Sequence, residues 1–257
     1  MVEFNEISNC KICNQEGLNI YNKEFLSTGL TNFFTEYYGK QKFETFKSKL
    51  EGINFNLLRC DNCKFIWQKY SPNDNLSYLL YEEIIDSEKS LEKSKLKFEK
   101  DKIKVSQEIN LLFSKFKNQK INILDFGAGW GHWLASGDKT KYNPYAFELS
   151  NKRKNFLKKM EINIIDYDNI DNYDDYFHFI RLDQVLEHLE NFNHSFKLLK
   201  KIARKDCIFF ISVPDGSNLP KDLSNIKVQK GPIQPLEHLN CFSRFSLEKL
   251  LLRENFQ

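Results

Sequence analysis

The sequence lacks a long apolar run, a strong net charge and the basic and apolar blocks of a signal peptide. No apolar run approaches the roughly 20 residues that a membrane-spanning helix needs. The 38 basic and 35 acidic side chains give a net charge of only +3, which is too small to argue for a nucleic-acid or anionic-membrane partner. The start of the chain, Met1 to Glu6, shows no signal-peptide pattern. We therefore expect a cytoplasmic protein without a membrane partner.

Internal repeats and low-complexity linkers are also lacking, so domain boundaries have to come from motifs. With 257 residues, the chain exceeds one average domain and could hold two. Its 41% hydrophobic and 28% charged residues are ordinary for a globular chain.

The most informative stretch is residues 121–132, Ile-Asn-Ile-Leu-Asp-Phe-Gly-Ala-Gly-Trp-Gly-His. Its apolar start suits a buried parallel strand that ends in Asp125. Gly127, Gly129 and Gly131 then permit a sharp turn in which a ligand can approach bare backbone. The Lys-Ser or Lys-Thr pair of a P-loop and the third glycine of a dinucleotide motif are both missing. The alternative is a tight strand-to-helix turn that binds no ligand.

An acid two residues before G-x-G-x-G resembles the first motif of the class I S-adenosylmethionine-dependent methyltransferases. The resemblance implies S-adenosylmethionine as the cofactor. Backbone N–H groups of Gly127, Ala128, Gly129 and Gly131 would suit the carboxylate of its amino-acid moiety. Asp125 would suit the ammonium group, directly or through water.

Strand and helix patterns alternate from this stretch to the end of the chain. Predicted strands cover residues 121–124, 144–147, 162–165, 177–182 and 207–213, and predicted helices cover about 131–137, 151–160, 192–204 and 245–254. Such alternation implies right-handed crossovers and an α/β fold with a doubly wound, Rossmann-like parallel sheet. Methyltransferases of this class normally continue into further strands, so we expect that the C-terminal strands are missing from a truncated chain.

Polar residues follow the predicted strands, at the sheet edge where such folds bind ligands. Glu148 comes about 20 residues after Asp125, the spacing at which an acid can bind both ribose hydroxyls. The alternative is that Glu148 only begins the next helix. Asp166 and Tyr167 follow the third strand, where an acid could accept a hydrogen bond from the adenine amino group, and Asp168 competes for that role.

Two further blocks resemble the same family. Residues 183–190, Asp-Gln-Val-Leu-Glu-His-Leu-Glu, resemble the motif after the fourth strand and place Gln184 at the cofactor. Residues 235–243, Pro-Leu-Glu-His-Leu-Asn-Cys-Phe-Ser, resemble its Glu-His-Leu-Asn-hydrophobic-Phe-Ser signature. The resemblance covers about 118–257. It implies that Cys241 packs at the hydrophobic position rather than acting as a nucleophile.

Four of the six cysteines form two C-x-x-C pairs, Cys10 with Cys13 and Cys60 with Cys63. In a reducing compartment two such pairs indicate tetrahedral Zn²⁺ ligation, with free thiols or a redox pair as alternatives. Four thiolates close the coordination sphere, so the metal would be structural. The gap between the pairs exceeds the roughly 15–20 residues of compact ribbons, and a helix inserted over about 32–50 could account for it. Outside these pairs, Cys207 lies in an apolar strand pattern and is expected in the core.

With two C-x-x-C pairs N-terminal to the methyltransferase motifs, the domain order is similar to that of zinc-containing sugar C-methyltransferases and related enzymes of surface-glycan biosynthesis. An oxygen or carbon acceptor has to lose a proton, which calls for a base such as histidine. The resemblance implies His238 as the base and Glu237 as the residue that binds or orients the substrate. His188 is the second candidate, or it caps and packs beneath the cofactor. Gln234-Pro235 stand where those enzymes tend to have a tyrosine, which leaves C- and O-methylation both open.

The intervening segments are a polar helical stretch and a long loop. Residues 71–118 have apolar side chains spaced in threes and fours among balanced charges, which predicts one or two amphipathic helices with a solvated face rather than a nucleic-acid surface. The polar loop over 214–235 is long enough to be a lid over the acceptor.

These motifs predict a small zinc-ribbon-like module over 1–70, a helical connector over 71–118 and an S-adenosylmethionine-binding methyltransferase domain over 119–257. The expected function is methylation of a small polar acceptor, a nucleotide sugar or surface-glycan precursor. The alternative is a methyltransferase-fold binding module, or an enzyme that methylates RNA or protein and uses the zinc module for recognition. The weak net charge and the absence of a basic, aromatic-rich stripe argue against nucleic acid.

Overall fold

A computed structural model describes residues 3–219, 223 and 228–256. The strands in chain order are β1 (Phe4–Glu6), β2 (Leu18–Glu24), β3 (Asn54–Arg59), β4 (Ile66–Gln68), β5 (Tyr70–Pro72), β6 (Ile121–Phe126), β7 (Tyr142–Phe147), β8 (Asn163–Ile165), β9 (Phe177–Asp183), β10 (Ala203–Ser212) and β11 (Asn240–Cys241). The helices are α1 (Thr28–Tyr38), α2 (Lys40–Phe46), α3 (Asp74–Leu79), α4 (Ser87–Lys115), α5 (His132–Ala135), α6 (Asn151–Lys159), α7 (Phe192–Ile202) and α8 (Arg244–Arg253).

Contacts group the chain into two compact units. The first unit comprises Met1–Ile85, Leu186–Asn193 and Val213–Gln257, and the second comprises Asp86–Val185 and His194–Ser212. These units divide the chain differently from the predicted modules, because two later segments group with the N-terminal residues. Compactness alone does not test which part folds independently, so the predicted domain boundaries stay predictions.

The second unit contains a five-stranded parallel sheet in the order β10-β9-β6-β7-β8. This confirms the predicted doubly wound α/β fold. The chain runs outward from β6 in both directions, so the strand order reverses between β6 and β9. In open α/β sheets, ligands bind beyond the carboxyl ends of the strands at such a reversal.

The central strand of this sheet, β6, is mostly apolar because both of its faces are covered, with Asn122 and Asp125 as its polar residues. Ile121, Ile123 and Leu124 in β6 are fully buried. Ile121 and Ile123 belong to a core that also includes Trp133 from α5 and Leu157 from α6. Burying each such side chain contributes roughly 1.5–3 kcal/mol, which holds the turn after β6 in a fixed position.

The predicted helical stretch between the two motif regions is confirmed. It forms α3, a π-helical turn over Leu80–Ile84, and the long helix α4. Asp86 caps α4 by accepting from the Glu88 and Lys89 backbone N–H groups, and Val105 and Ile109 are its buried residues. Among the described residues, no helix combines the length and apolar character required to cross a bilayer.

The first unit contains a four-stranded antiparallel sheet in the order β11-β4-β3-β2 and the two-stranded pair β1-β5. The helix expected over about 32–50 is present as α1, α2 and a 3₁₀ turn over Lys47–Leu50. Its apolar face packs into an aromatic core with five phenylalanines of at most 1% exposure, namely Phe25, Phe34, Phe43, Phe46 and Phe55. The inserted segment therefore contributes to a hydrophobic core and does not form a solvent-exposed loop.

Two predictions about cysteines outside the C-x-x-C pairs have different outcomes. Cys241 is 4% exposed and pairs with Ile66 across β11 and β4, which confirms a packing position. Cys207 was expected in the core, and this is wrong, because β10 is an edge strand and leaves the thiol partly exposed.

Candidate functional site

The glycine-rich turn after β6 uses backbone conformations that favour glycine. Gly127 has φ +79° and Gly129 has φ +57°. A Cβ on Gly127 would lie 2.6 Å from Val185 Cγ2, whereas a Cβ on Gly129 would meet no heavy atom within 4 Å. The predicted sharp turn is therefore confirmed. At Gly129 the space that a Cβ would occupy is not filled by protein atoms.

The N–H groups of this turn already have protein partners. Gly127 and Ala128 donate to the Phe147 carbonyl at 2.8 and 3.2 Å, and Gly131 donates to Ala128 at 2.9 Å. Gly129 donates to the Glu148 carboxylate at 2.9 Å. A cofactor carboxylate would have to displace Glu148 to reach Gly129, so cofactor contacts of these four residues stay predictions.

Asp125 is buried beside a cation that the sequence analysis missed. Its Oδ1 accepts from Arg181 Nη1 at 3.1 Å, and Arg181 also pairs with Asp183. Burial raises the pKa of Asp125 to about 6, although the Arg181 charge opposes this shift. Arg181 lies over the rings of Trp133 and Phe210, at 5.1 and 5.6 Å. The missed signal was an arginine inside an apolar strand, directly opposite Asp125 in the β6-β9 register.

Glu148 connects the glycine turn to the start of α6. Its two oxygens accept from the N–H groups of Gly129 and Ser150, each at 2.9 Å, and Arg153 lies 3.7 Å away. Ser150 is the N-cap of α6. The structure thus gives Glu148 the helix-start contact that the sequence left as an alternative, and its ribose role stays a prediction.

The remaining predicted cofactor residues also lie at the carboxyl ends of the parallel strands. Phe126 pairs with Phe147, and Phe147 pairs with Ile165, so the turn, Glu148 and Asp166 follow neighbouring strand ends. Tyr167 is 52% exposed, with its ring 5.0 Å from that of Phe147. Gln184 follows β9 and donates to Ser212 Oγ at 3.1 Å. The sheet therefore brings the predicted cofactor residues to one edge.

In the first unit, the two Glu-His motifs come together. The ring centroids of His188 and His238 are 4.9 Å apart at an angle of 78°. His188 Nδ1 lies 2.8 Å from the Glu237 carbonyl oxygen and 3.0 Å from Tyr81 Oη. Burial lowers the pKa of His238 to about 4, so its imidazole is neutral at neutral pH.

Asn240 explains why these motifs meet. Its side-chain amide donates to the carbonyls of Leu186 and Leu189, each at 2.7 Å, and its backbone N–H donates to the Glu187 carbonyl at 3.0 Å. Asn240 is fully buried. These bonds satisfy an otherwise costly buried amide and hold the segment of His188 against that of His238.

Glu237 receives a hydrogen bond from a tyrosine that the sequence analysis missed. Tyr38 Oη donates to Glu237 Oε1 at 2.7 Å. Burial raises the pKa of Glu237, and the Tyr38 hydrogen bond works against that shift. Tyr38 is the last residue of α1, in the insertion between the C-x-x-C pairs. This hydrogen bond joins residues from distant segments, which local sequence could not reveal.

The four C-x-x-C cysteines converge. Cys10 and Cys63 Sγ are 3.4 Å apart, Cys13 and Cys60 Sγ are 3.3 Å apart, and Cys13 and Cys63 Sγ are 3.9 Å apart. A tetrahedral zinc ion at about 2.3 Å from each sulfur places sulfur pairs about 3.8 Å apart. All four Sγ atoms lie within 4.8 Å of one another. The donor set and spacing therefore fit zinc.

The two cysteine turns repeat one geometry. Asn14 N–H donates to the Cys10 carbonyl at 2.8 Å, and Lys64 N–H donates to the Cys60 carbonyl at 2.9 Å. Asn14 and Lys64 both have φ +59°. Ile12 N–H also points at Cys10 Sγ, at 3.4 Å. Such turns direct backbone N–H groups toward sulfur, which stabilises thiolate ligands.

Comparison with known families identifies the chain. A sequence profile described as a methyltransferase domain matches residues 98–257, more than half of the chain. The chain belongs to this methyltransferase family. The comparison with curated proteins found no match.

Solved structures similar to this methyltransferase include three S-adenosylmethionine-related proteins. One from Archaeoglobus fulgidus is 19% identical with a TM-score of 0.44, covering 61% of this chain and 69% of its own. One from Aquifex aeolicus is 18% identical with a TM-score of 0.42, covering 58% and 79%. The 1,6-didemethyltoxoflavin-N1-methyltransferase of Burkholderia thailandensis, solved with S-adenosylhomocysteine, is 15% identical with a TM-score of 0.43, covering 62% and 69%. These scores are low, and the family assignment rests on the sequence profile.

Family membership supports S-adenosylmethionine as the cofactor of this methyltransferase. The sheet edge fits it, because Gly129 is open to close approach, and Glu148 and Asp166 follow neighbouring strands. The cofactor supplies an electrophilic methyl group on sulfur, and the protein supplies orientation.

Proposed function

We propose that this methyltransferase methylates an oxygen or carbon atom of a small polar acceptor, a nucleotide sugar or a surface-glycan precursor. The observation that supports this is the state of His238. Its imidazole is neutral near pH 7 because burial lowers its pKa to about 4. Its Nδ1 is buried without a hydrogen-bond partner among the described residues. A neutral imidazole can accept a proton, but a pKa of about 4 makes it a weak base. Bound cofactor and acceptor therefore have to raise the pKa of His238 toward neutrality for it to take the proton that such an acceptor must lose.

Glu237 is the proposed substrate-orienting residue. It is 6% exposed, and Tyr38 holds its Oε1 at 2.7 Å. A carboxylate fixed in this way can accept from an acceptor hydroxyl with little loss of conformational entropy. His188 is held by the Glu237 carbonyl and is proposed to position His238 rather than to take the proton. Because Nδ1 of His238 is buried, the acceptor has to displace neighbouring groups to reach it.

We also propose that Cys10, Cys13, Cys60 and Cys63 hold a structural zinc ion. The spacing of their sulfur atoms supports this. Four thiolates leave no open coordination position for water or substrate. The ion would therefore stabilise the fold around β3 and β4 without taking part in methyl transfer.

Label transfer tests the proposed reaction. The protein is incubated with S-adenosylmethionine carrying an isotope-labelled methyl group, together with a panel of nucleotide sugars and, separately, RNA and protein fractions. We expect label in a nucleotide sugar and loss of that label in His238→Ala. His194→Ala removes a histidine outside both motifs and should keep activity. Label in RNA or protein alone would replace the small-acceptor proposal.

A further inference from the structure

A mixed cluster of metal-binding side chains lies outside the cysteine site. Glu187, His188 and His238 each offer one ligand atom, and these atoms lie within 4.8 Å of one another. Glu187 is 1% exposed. All three residues belong to the first unit. We name this set the Glu187–His188–His238 cluster.

The hydrogen bonding of His188 determines which of its nitrogens can bind a metal. Its Nδ1 lies 2.8 Å from the Glu237 carbonyl oxygen. A carbonyl only accepts, so this Nδ1 carries the proton and donates. In the neutral ring Nε2 then has the lone pair. Nε2 lies 3.9 Å from Glu187 Oε1, which is too long for a direct hydrogen bond. A tetrahedral ion at about 2.0–2.1 Å from each ligand would place the two atoms about 3.3 Å apart, so these side chains would have to close by about 0.6 Å around it.

The His238 ring lies next to that of His188. Its Nδ1 is buried and has no hydrogen-bond partner among the described residues. The two ring centroids lie 4.9 Å apart, and the rings are nearly perpendicular. The His188 ring is anchored through Nδ1 by a backbone carbonyl, which is how proteins orient metal-binding histidines.

The donor set defines the class of ion. Two imidazole nitrogens and one carboxylate oxygen suit borderline divalent cations such as Zn²⁺, Co²⁺, Ni²⁺ or Fe²⁺, whereas Mg²⁺ prefers oxygen ligands and bound water. A divalent ion would also offset the desolvation of the Glu187 carboxylate.

We propose that Glu187, His188 and His238 form a second metal site, which binds a borderline divalent cation of the Zn²⁺ class separately from the four-cysteine site. Three protein ligands leave coordination positions open, unlike the cysteine site. A consequence rests on the proposed function: one nitrogen of the His238 imidazole cannot bind a metal and accept a proton at once. Occupancy of the cluster would therefore inhibit methyl transfer.

Cobalt titration of the full chain, with its cysteine site already loaded with zinc, tests this site directly. We expect a second equivalent of metal to bind, with a visible Co²⁺ spectrum that lacks thiolate charge-transfer bands. Glu187→Gln and His188→Asn should each weaken binding by at least about tenfold. Mg²⁺ should not compete. Circular dichroism and zinc content show whether each variant is folded.

His194→Asn is the matched control, since it removes a histidine outside the cluster and should leave Co²⁺ affinity unchanged. His238→Asn provides a third ligand variant if one of the others fails to fold. Absence of Co²⁺ binding at millimolar concentration, or binding that all three ligand variants retain, would overturn the site. This readout is independent of turnover. An active enzyme without a cobalt site refutes this inference alone, and a cobalt site in a protein inactive on every acceptor refutes only the proposed function.

Discussion

At the scale of single residues, the pair Asp125–Arg181 sets the electrostatics of the candidate cofactor edge. Asp125 is 1% exposed, and its pKa is raised to about 6 by burial despite the Arg181 charge. The ordinary value is 3.8. The folded protein therefore holds this proton at a pH where the unfolded chain has released it.

This shift predicts a pH-dependent stability. The favourable contribution is present below pH 3.8 and is lost as the pH rises to about 6. At about 1.4 kcal/mol per pKa unit, the wild type should lose about 3 kcal/mol over that range relative to Asp125→Asn. Urea unfolding at several pH values measures the difference. Asp168→Asn, an exposed acid beyond β8, is the control and should follow the wild type. If the free energy of unfolding changed with pH in the same way for the wild type and Asp125→Asn, this would contradict the raised pKa of Asp125.

Tyr38 gives a second prediction at the residue scale. Tyr38→Phe removes the donor at 2.7 Å from Glu237 and should lower the free energy of unfolding by about 1–3 kcal/mol. Burial already raises the pKa of Glu237, and the Tyr38 donor lowers it. The charged carboxylate is the form that loses the donor, so the penalty should grow as the pH rises through the folded pKa of Glu237. Denaturant unfolding at acidic and neutral pH measures this.

The control for Tyr38→Phe is Tyr78→Phe, because the Tyr78 side chain is 60% exposed. It should change stability by no more than a few tenths of a kcal/mol. A Tyr38 effect as small as the Tyr78 effect would mean that the hydrogen bond to Glu237 contributes nothing net.

At the scale of structural elements, the two cysteine turns carry the clearest prediction. Structural zinc contributes about 10–16 kcal/mol of binding free energy in small zinc modules. A strong chelator should therefore release about one equivalent of zinc and lower the unfolding temperature. Cys60→Ser should do the same without chelator. Zinc analysis of the purified protein together with thermal unfolding measures both effects.

Cys207→Ser is the control for the zinc prediction, since Cys207 lies in β10 and belongs to neither C-x-x-C motif. It should keep full zinc content. A wild-type protein that contains no zinc, and whose unfolding temperature does not respond to added zinc, would contradict a structural metal site.

Elements with a strong local pattern could be predicted from the sequence. The apolar run of β6 and the three glycines after it define a buried strand and a turn, and both are present. The paired cysteines predict convergence because each turn is locally encoded. The predicted start of β10 at residue 207 is too late, because Ala203 already pairs with Phe177 and a register shift separates it from Ile208.

Partners that come from distant segments could not be predicted. Arg181 meets Asp125 only through the pairing of β6 with β9. Tyr38 meets Glu237 across most of the sequence. These contacts depend on tertiary packing, whereas periodicity and turn chemistry report only on neighbours in the chain. The lid predicted over 214–235 includes positions 220–222 and 224–227, which lie outside the described residues.

At the scale of the whole molecule, the methyltransferase match and the compact units divide the chain differently. The match over 98–257 includes most of the second unit and the last segments of the first. The glycine turn, Glu148 and Asp166 belong to the second unit, and Glu237 and His238 belong to the first. The central claim concerns the second unit: its sheet edge binds S-adenosylmethionine.

Titration calorimetry with S-adenosylhomocysteine on a matched pair of glycine variants tests this claim most directly. Gly129 and Gly52 both have positive φ, +57° and +71°, with no heavy atom within 4 Å of an added Cβ. Alanine at either position should cost about 1–2 kcal/mol of stability through backbone strain. We predict that the wild type and Gly52→Ala bind the ligand equally and that Gly129→Ala binds at least about tenfold more weakly, a loss of about 1.4 kcal/mol. Equal binding by all three proteins, or no binding by the wild type at millimolar ligand, would contradict the account.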